Sequence, residues 1–237
     1  MTTSHKDHEA SSPPAHKPVH HVSKRTFAIG DIHGCLEKLE DLLEKIAPTQ
    51  GDTLIFLGDH IDRGEKPRQV VDRLIALAST CHCIFLRGNH EDMFLQYLEW
   101  GTNREIYLLN GGQTTLRSYC GEEILSHTLA ARALPMSHRN FFEGLTWYHE
   151  DSRYIYVHAG LRPGVPLIKQ RHADLIWIRE EFIRKQTQIE KKVIFAHTPV
   201  HEPLIKDDKI GIDTGAVYGG ALTAIELPQE RFIQSFR

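Results

Sequence analysis

Five short blocks of the 237-residue chain gather side chains that bind metals or move protons: Gly30-Asp31-Ile32-His33-Gly34, Gly58-Asp59-His60-Ile61-Asp62-Arg63-Gly64, Gly88-Asn89-His90-Glu91, His158-Ala159-Gly160 and Ala196-His197-Thr198-Pro199. Each supplies a carboxylate, an amide oxygen or an imidazole. Taken singly, each also reads as ordinary structure, because Gly-Asp after a strand is a common turn and a lone histidine is usually just hydrogen-bonded. Five in series at strand ends are a different signal. Three histidines, two aspartates and an asparagine oxygen, with no cysteine, suit a borderline to hard divalent ion such as Mn, Fe, Zn or Mg. Two such cations about 3.5 to 4 Å apart repel and need an anionic bridge, for which Asp59 is the natural residue. Glycines beside the ligands permit tight turns with positive φ where a β-carbon would crowd the site.

These blocks need elements to carry them to one place. The first three close short apolar strands, RTFAIGD (25–31), DTLIFLGD (52–59) and HCIFLRGN (82–89). Between them, LEKLEDLLEKIA (36–47) and KPRQVVDRLIALA (66–78) repeat leucine and valine at three- and four-residue intervals, the helical period. Strand, crossover helix and strand in this rhythm predict a parallel sheet with right-handed crossovers, whose carboxyl edge is where ligands bind. Residues 92–150 lose the strand rhythm and read as a helical insertion walling the site, with an NGGQTT turn at 110–115. A second group of short strands, at 153–160, 191–199, 209–215 and 220–227, surrounds a helical stretch at 174–186, and its turn-linked character predicts antiparallel additions. The expected fold is α/β: two sheets packed face to face with helices outside, forming one catalytic domain over residues 25–237.

Composition narrows the partners. Hydrophobic residues at 41% and charged residues at 25% exclude a disordered, collagen-like or coiled-coil chain. The net charge of −3, without long runs of either sign, argues against nucleic acid as a partner. Sixteen histidines are the anomaly, and five of them (His5, His8, His16, His20, His21) fall in residues 1–24, a Ser-, Pro- and Lys-containing stretch expected to be a disordered tail. Metal scavenging by that tail would have to overcome its ordering entropy. Cys35, Cys81, Cys83 and Cys120 show neither zinc-ribbon nor disulfide spacing, which points to free thiols in a reducing cytoplasm. No stretch approaches the ~18 apolar residues of a spanning helix, so no membrane partner is expected.

In this order and spacing, GDIHG, GDHIDRG, GNHE, HAG and AHTP resemble the signature of the phosphoprotein phosphatase family within the calcineurin-like metallophosphoesterases, over roughly residues 26–225. LRPGVP, DLIWIREEF and IDTGAVYGG resemble its bacterial and phage-type serine/threonine phosphatases, and also the bacterial symmetrical dinucleoside tetraphosphatases. The resemblance implies an α/β/β/α sandwich holding two divalent ions, with Mn2+ the leading candidate. Asp31 and His33 would bind the first ion, Asp59 would bridge, and Asn89, His158 and His197 would complete the second site. His90 would donate a proton to the leaving oxygen, with Asp62 orienting it. Arg63 and Arg179 would clamp phosphate; Arg162 is a third candidate, and Tyr218 stands where the family places a tyrosine near the site, with packing an equally good reading. The implied reaction is in-line attack on phosphorus by a hydroxide bridging the metals, without a phosphoenzyme. The leading reading is a serine/threonine protein phosphatase type of phosphomonoesterase acting on a phosphoprotein or small phosphorylated substrate. The alternative is a dinucleoside polyphosphate pyrophosphohydrolase or a broad-specificity nucleotide phosphatase. His60 departs from the family's frequent aromatic; an imidazole there could reach substrate or hydrogen-bond a neighbouring ligand, but the favoured expectation is that it faces solvent, since a side chain next to a ligand normally points away from the metals. His201 lies four residues after His197, but Pro199 and Pro203 argue against a helical ligand pair. His82, His127, His138, His149 and His172 read as structural or surface residues.

Overall fold

Strands that are apolar at successive positions need cover on both faces, and two stacked sheets with helices outside supply it. The structure, a computed structural model, describes residues 24–121 and 126–236. The stretch 1–24 predicted to be a tail lies, apart from Lys24, outside the described residues.

The first half follows the βαβ rhythm: β1 (Thr26–Ile29), α1 (Leu36–Ile46), β2 (Thr53–Phe56), α2 (Pro67–Ala78) and β3 (His82–Phe85), with β1, β2 and β3 parallel. Alternation along these strands sorts the core. Phe27, Ile29, Leu54 and Phe56 pack on Leu39, Leu42, Val70 and Leu74 of the two helices, while Ala28 and Ile55 face the second sheet.

The predicted helical wall follows as α3 (Asn89–Trp100), α4 (Arg104–Tyr107), a π-helical turn at Leu108–Gly112, α5 (Gln113–Cys120), α6 (His127–Ala133) and α7 (Met136–Glu143). It has its own aromatic core of Phe94, Tyr97, Tyr107, Tyr119 and Phe142. The stretch read as strand-free ends in β4 (Tyr148–Glu150), which pairs antiparallel with β5 (Tyr154–Val157).

The chain then forms α8 (His172–Trp177), α9 (Glu180–Arg184), β6 (Lys192–Phe195), β7 (Leu204–Ile205), β8 (Lys209–Gly211), β9 (Leu222–Leu227) and β10 (Arg231–Ser235). Here the antiparallel expectation needs correction. The sheet order β4-β5-β6-β8-β7 has a parallel centre, β5-β6-β8, with antiparallel strands only at its edges. The connection between β5 and β6 carries α8 and α9 and is long enough to return the chain to the same edge, as a parallel pair requires. β9 leaves this group altogether and pairs antiparallel with β1, giving the first sheet the order β10-β9-β1-β2-β3. Tyr154, Tyr156, Ile194, Ile210 and Ile225 fill the space between the sheets, and Ile155, Val157, Val193 and Phe195 pack beneath Leu175, Ile176 and Phe182 of α8 and α9. The four cysteines are free thiols, and among the described residues no helix is long and apolar enough to cross a membrane.

Candidate metal centre

The parallel strands of both sheets end at a common edge, and the loops that leave it converge. Asp31 and His33 follow β1, Asp59 follows β2, Asn89 and His90 open α3 beyond β3, His158 follows β5 and His197 follows β6. All seven are buried. Asp59 is the junction: its Oδ2 lies 3.5 Å from His33 Nε2 and 3.9 Å from His90 Nε2, and its Oδ1 lies 3.4 Å from His158 Nε2. Among the described residues, two groups have donor atoms close enough to hold an ion, His33-Asp59-His90 and Asp59-His158-His197, and Asp59 belongs to both. Asn89 Oδ1 reaches to 3.0 Å of His158 Nε2, and Asp31 Oδ1 lies 3.8 Å from His158 Nδ1 and accepts the His197 N–H at 3.4 Å.

Backbone carbonyls set the tautomers. His33 Nδ1 donates to Ile61 O and His158 Nδ1 to Leu57 O, each at 2.9 Å, which leaves both Nε2 lone pairs aimed at Asp59. Burial holds His33 down to about 3, His197 down to about 2 and His158 below its ordinary value, so these rings are neutral at pH 7. His158 Nε2 and Asn89 Oδ1 therefore meet lone pair to lone pair. Asp213, after β8, adds a third buried carboxylate beside Asp31 and Asp59. Burial and that crowding push Asp31 well above the carboxylate range, and burial pushes Asp213 to about 6. Burial would also raise Asp59, but the surrounding imidazoles of His158, His90, His33 and His197, which become charged in acid, hold it low. Converging oxygen and neutral nitrogen donors with excess negative charge and no thiolate fit divalent cations.

His90 differs from the other rings. Its Nδ1 bonds the Asp62 carboxylate at 2.7 Å rather than a carbonyl, and its buried Nε2 has no hydrogen-bond partner among the described residues. Burial alone would lower its proton affinity, but Asp59 and Asp62 overcome that and raise it. That environment is compatible with a proton donor. Asp62 is itself held by Thr115 Oγ1 at 2.6 Å and Tyr107 OH at 3.0 Å, so the helical wall reaches the site through α4 and α5. Arg63 N–H donates to Gly111 O at 3.1 Å in the π-helical turn; Gly111 has φ 95°, and a β-carbon there would come within 2.6 Å of Arg63 Cγ.

The fourth residue of the GNHE block closes the ligand loop. Buried Glu91 accepts N–H groups from Gly88 and Asp59 at 2.9 Å and from His60 at 2.7 Å. His60 is not solvent-facing as expected but fully buried, with Nδ1 3.3 Å from Glu91 Oε1 and its ring among Phe56, Phe85 and Phe141. Strand alternation fails there because Asp59 turns with φ 50°. His33, Asp62, Arg63 and His197 also take positive φ, so strain sits in the candidate site residues as well as in the glycines. At Gly88 the requirement is one of space: a β-carbon would come within 2.1 Å of Asp59 Oδ1.

Two arginines stand at the ends of the cluster. Arg63 Nη1 donates to His33 Nε2 at 2.6 Å, and Arg179 Nε donates to His197 Nε2 at 3.1 Å. Arg63 also lies over the ring of Tyr218, which is exposed rather than packed. Arg162 is spent elsewhere: it binds Asp174 at 3.1 and 2.6 Å and Glu181 at 2.8 Å, tying α8 to α9 and fixing the segment that carries Arg179. Asp213, Tyr107 and Thr115 were not assigned from sequence. The Asp-Thr-Gly that ends KIGIDTG repeats the strand-end rhythm of the first blocks, whereas nothing in the spacing singles out Tyr107 or Thr115.

The calcineurin-like phosphoesterase family pattern matches residues 24–226. The chain belongs to that family. Calcineurin-like phosphoesterases are metal-dependent hydrolases, and the two His/Asp groups meeting at Asp59 are compatible with that chemistry. The asymmetrical bis(5'-nucleosyl)-tetraphosphatase PrpE of Anoxybacillus flavithermus is 26% identical over 227 residues, covering 85% of this chain and 89% of its own. A crystal structure of a protein provisionally named a diadenosine tetraphosphatase superposes with a TM-score of 0.65 at 24% identity, covering 90% of this chain and 94% of its own. A serine/threonine phosphatase from Saccharomyces cerevisiae superposes with a TM-score of 0.63 at 16% identity, covering 90% and 80%. These two superpositions establish the α/β/β/α fold.

Proposed function

We propose that the chain is a Mn2+-dependent hydrolase of dinucleoside polyphosphates, acting on bis(5'-nucleosyl) tetraphosphates. The observation that carries this reading is the pair of guanidiniums at opposite ends of the cluster, Arg63 on His33 and Arg179 on His197. A polyphosphate carries charge on both sides of its reacting phosphorus and offers anionic oxygens to both guanidiniums. The PrpE relative, named an asymmetrical tetraphosphatase, supports the same substrate class and favours unequal over symmetrical cleavage. The serine/threonine phosphatase reading rests on a likeness of fold at 16% identity and is the weaker of the two.

Asp31, His33 and Asp59 would hold one ion, and Asp59, Asn89, His158 and His197 the other. Bound there, divalent ions neutralise phosphoryl charge and make water a nucleophile at neutral pH. The protein's own side chains do the rest. Arg63 and Arg179 orient the chain of phosphates through planar forks that match phosphate oxygens. His90 holds a proton at Nε2 for the leaving oxygen, and Asp62, Tyr107 and Thr115 fix its ring. The test is to strip the protein of metal, restore Mn, Mg, Zn or Fe in turn, and resolve the products from diadenosine tetraphosphate, a phosphothreonine peptide and an aryl phosphate. The reading expects Mn2+ to restore release of ATP and AMP. Preferential turnover of the peptide, or none of the dinucleotide with any metal, would overturn it.

A further inference from the structure

We propose that Trp177 is a nucleobase platform that selects nucleotides over other phosphate esters at this centre, an inference that deepens the dinucleotide reading and rests on it. Trp177 ends α8, where Leu175, Ile176 and Ile178 turn inward while the indole keeps 43% of its surface exposed. Its ring stands edge-to-face against His197, with centroids 6.0 Å apart and planes at 88°. Arg179, two residues on, reaches the same imidazole with Nε at 3.1 Å. A phosphate held by Arg179 thus has an exposed aromatic surface beside it, where the nucleoside of a 5'-phosphate would lie. Bases stack on such surfaces whatever their identity, because each has a π-face.

The platform is held rigidly. Asp174, one turn earlier in α8, binds Arg162, which also binds Glu181 of α9, and Ile178 N–H donates to Asp174 O at 3.2 Å. Buried Lys209 fastens the end of α9 by donating to Phe182 O at 2.5 Å and Lys185 O at 2.6 Å. A surface fixed before binding loses little entropy on capturing a base. At the far end of the cluster Arg63 lies over exposed Tyr218, so an arginine beside an exposed aromatic occurs at both ends.

The experiment is calorimetric titration of the full-length Mn2+-loaded protein with AMP and with ribose 5-phosphate, in the wild type, Trp177→Leu and Trp177→Phe. The wild type should bind AMP about tenfold more tightly than ribose 5-phosphate, consistent with one stacked base. Trp177→Leu should abolish that preference and Trp177→Phe should largely keep it. In turnover, the ratio of KM for diadenosine tetraphosphate to KM for tripolyphosphate should rise about tenfold in Trp177→Leu alone. Equal weakening of AMP and ribose 5-phosphate in Trp177→Leu would make Trp177 a mere support for His197 and overturn the proposal, as would a wild type that does not discriminate. A Trp177-dependent preference for AMP in a protein that leaves diadenosine tetraphosphate intact would uphold the platform and overturn the dinucleotide reading.

Discussion

His90 and His158 are both buried imidazoles within 4 Å of Asp59, yet one bonds a carboxylate and the other a carbonyl. That single difference underlies the proposed assignment of one as proton donor and the other as ligand. His90→Ala should keep its metal but lose about 10² to 10⁴ in kcat, as measured by elemental analysis beside steady-state turnover. Thr115→Val removes the shortest bond to Asp62 and should lower kcat about tenfold with little change in KM. The convergence of the candidate ligands was legible in the sequence because each sits just past a strand end, four of them (Asp31, His33, Asp59 and Asn89) directly beside glycine, where local spacing mirrors spatial proximity. Tyr107, Thr115 and the burial of His60 were not, because they depend on how a distant insertion folds back and on the positive φ of Asp59, neither of which leaves a periodic trace.

At the scale of elements, the βαβ half followed from periodicity because its connections are short and its helices amphipathic. The second sheet did not, because the same short apolar strands serve parallel and antiparallel neighbours, and only the length of the β5-β6 crossover decides. Nor does LTAIEL say which sheet it joins. The start of β2 is locked by buried Asp52, which accepts from Arg25 Nη2 at 2.6 Å and Thr49 N at 2.8 Å. Burial would raise the Asp52 carboxyl, but the bonds from Arg25 and Thr49 bring it down to about 2 from an ordinary 3.8. A depressed carboxyl contributes stability that is fully present above pH 3.8 and lost as pH falls through 2, in all about 2 kcal/mol. Asp52→Asn should therefore unfold at lower urea near neutrality, and the gap to the wild type should close as pH drops from about 4 toward 2. A gap that does not change with pH would contradict the lock.

For the whole molecule, the two sheets and the helical wall exist as one body around a charge excess. Asp31, Asp59 and Asp213 come from β1 and β2 of one sheet and β8 of the other, so ions that neutralise them also cross-link the sandwich. An ion at a hundred times its Kd adds about 2.7 kcal/mol to stability. With both sites filled, saturating Mn2+ should then raise the Tm over that in EDTA by about 10 to 20 °C in calorimetry, given about 2 to 4 °C per kcal/mol at this chain length. Wild type and Asp52→Asn should gain alike, since that lock lies outside the cluster.

Asp59, common to both His/Asp groups, would join two metal sites. Mn2+ counted per chain by elemental analysis after equilibrium dialysis tests it directly. The wild type should hold two ions, Asn89→Ala close to one, and Asp59→Asn fewer than one. A wild type that holds only one ion, or an Asp59→Asn protein that still holds two, would contradict the account.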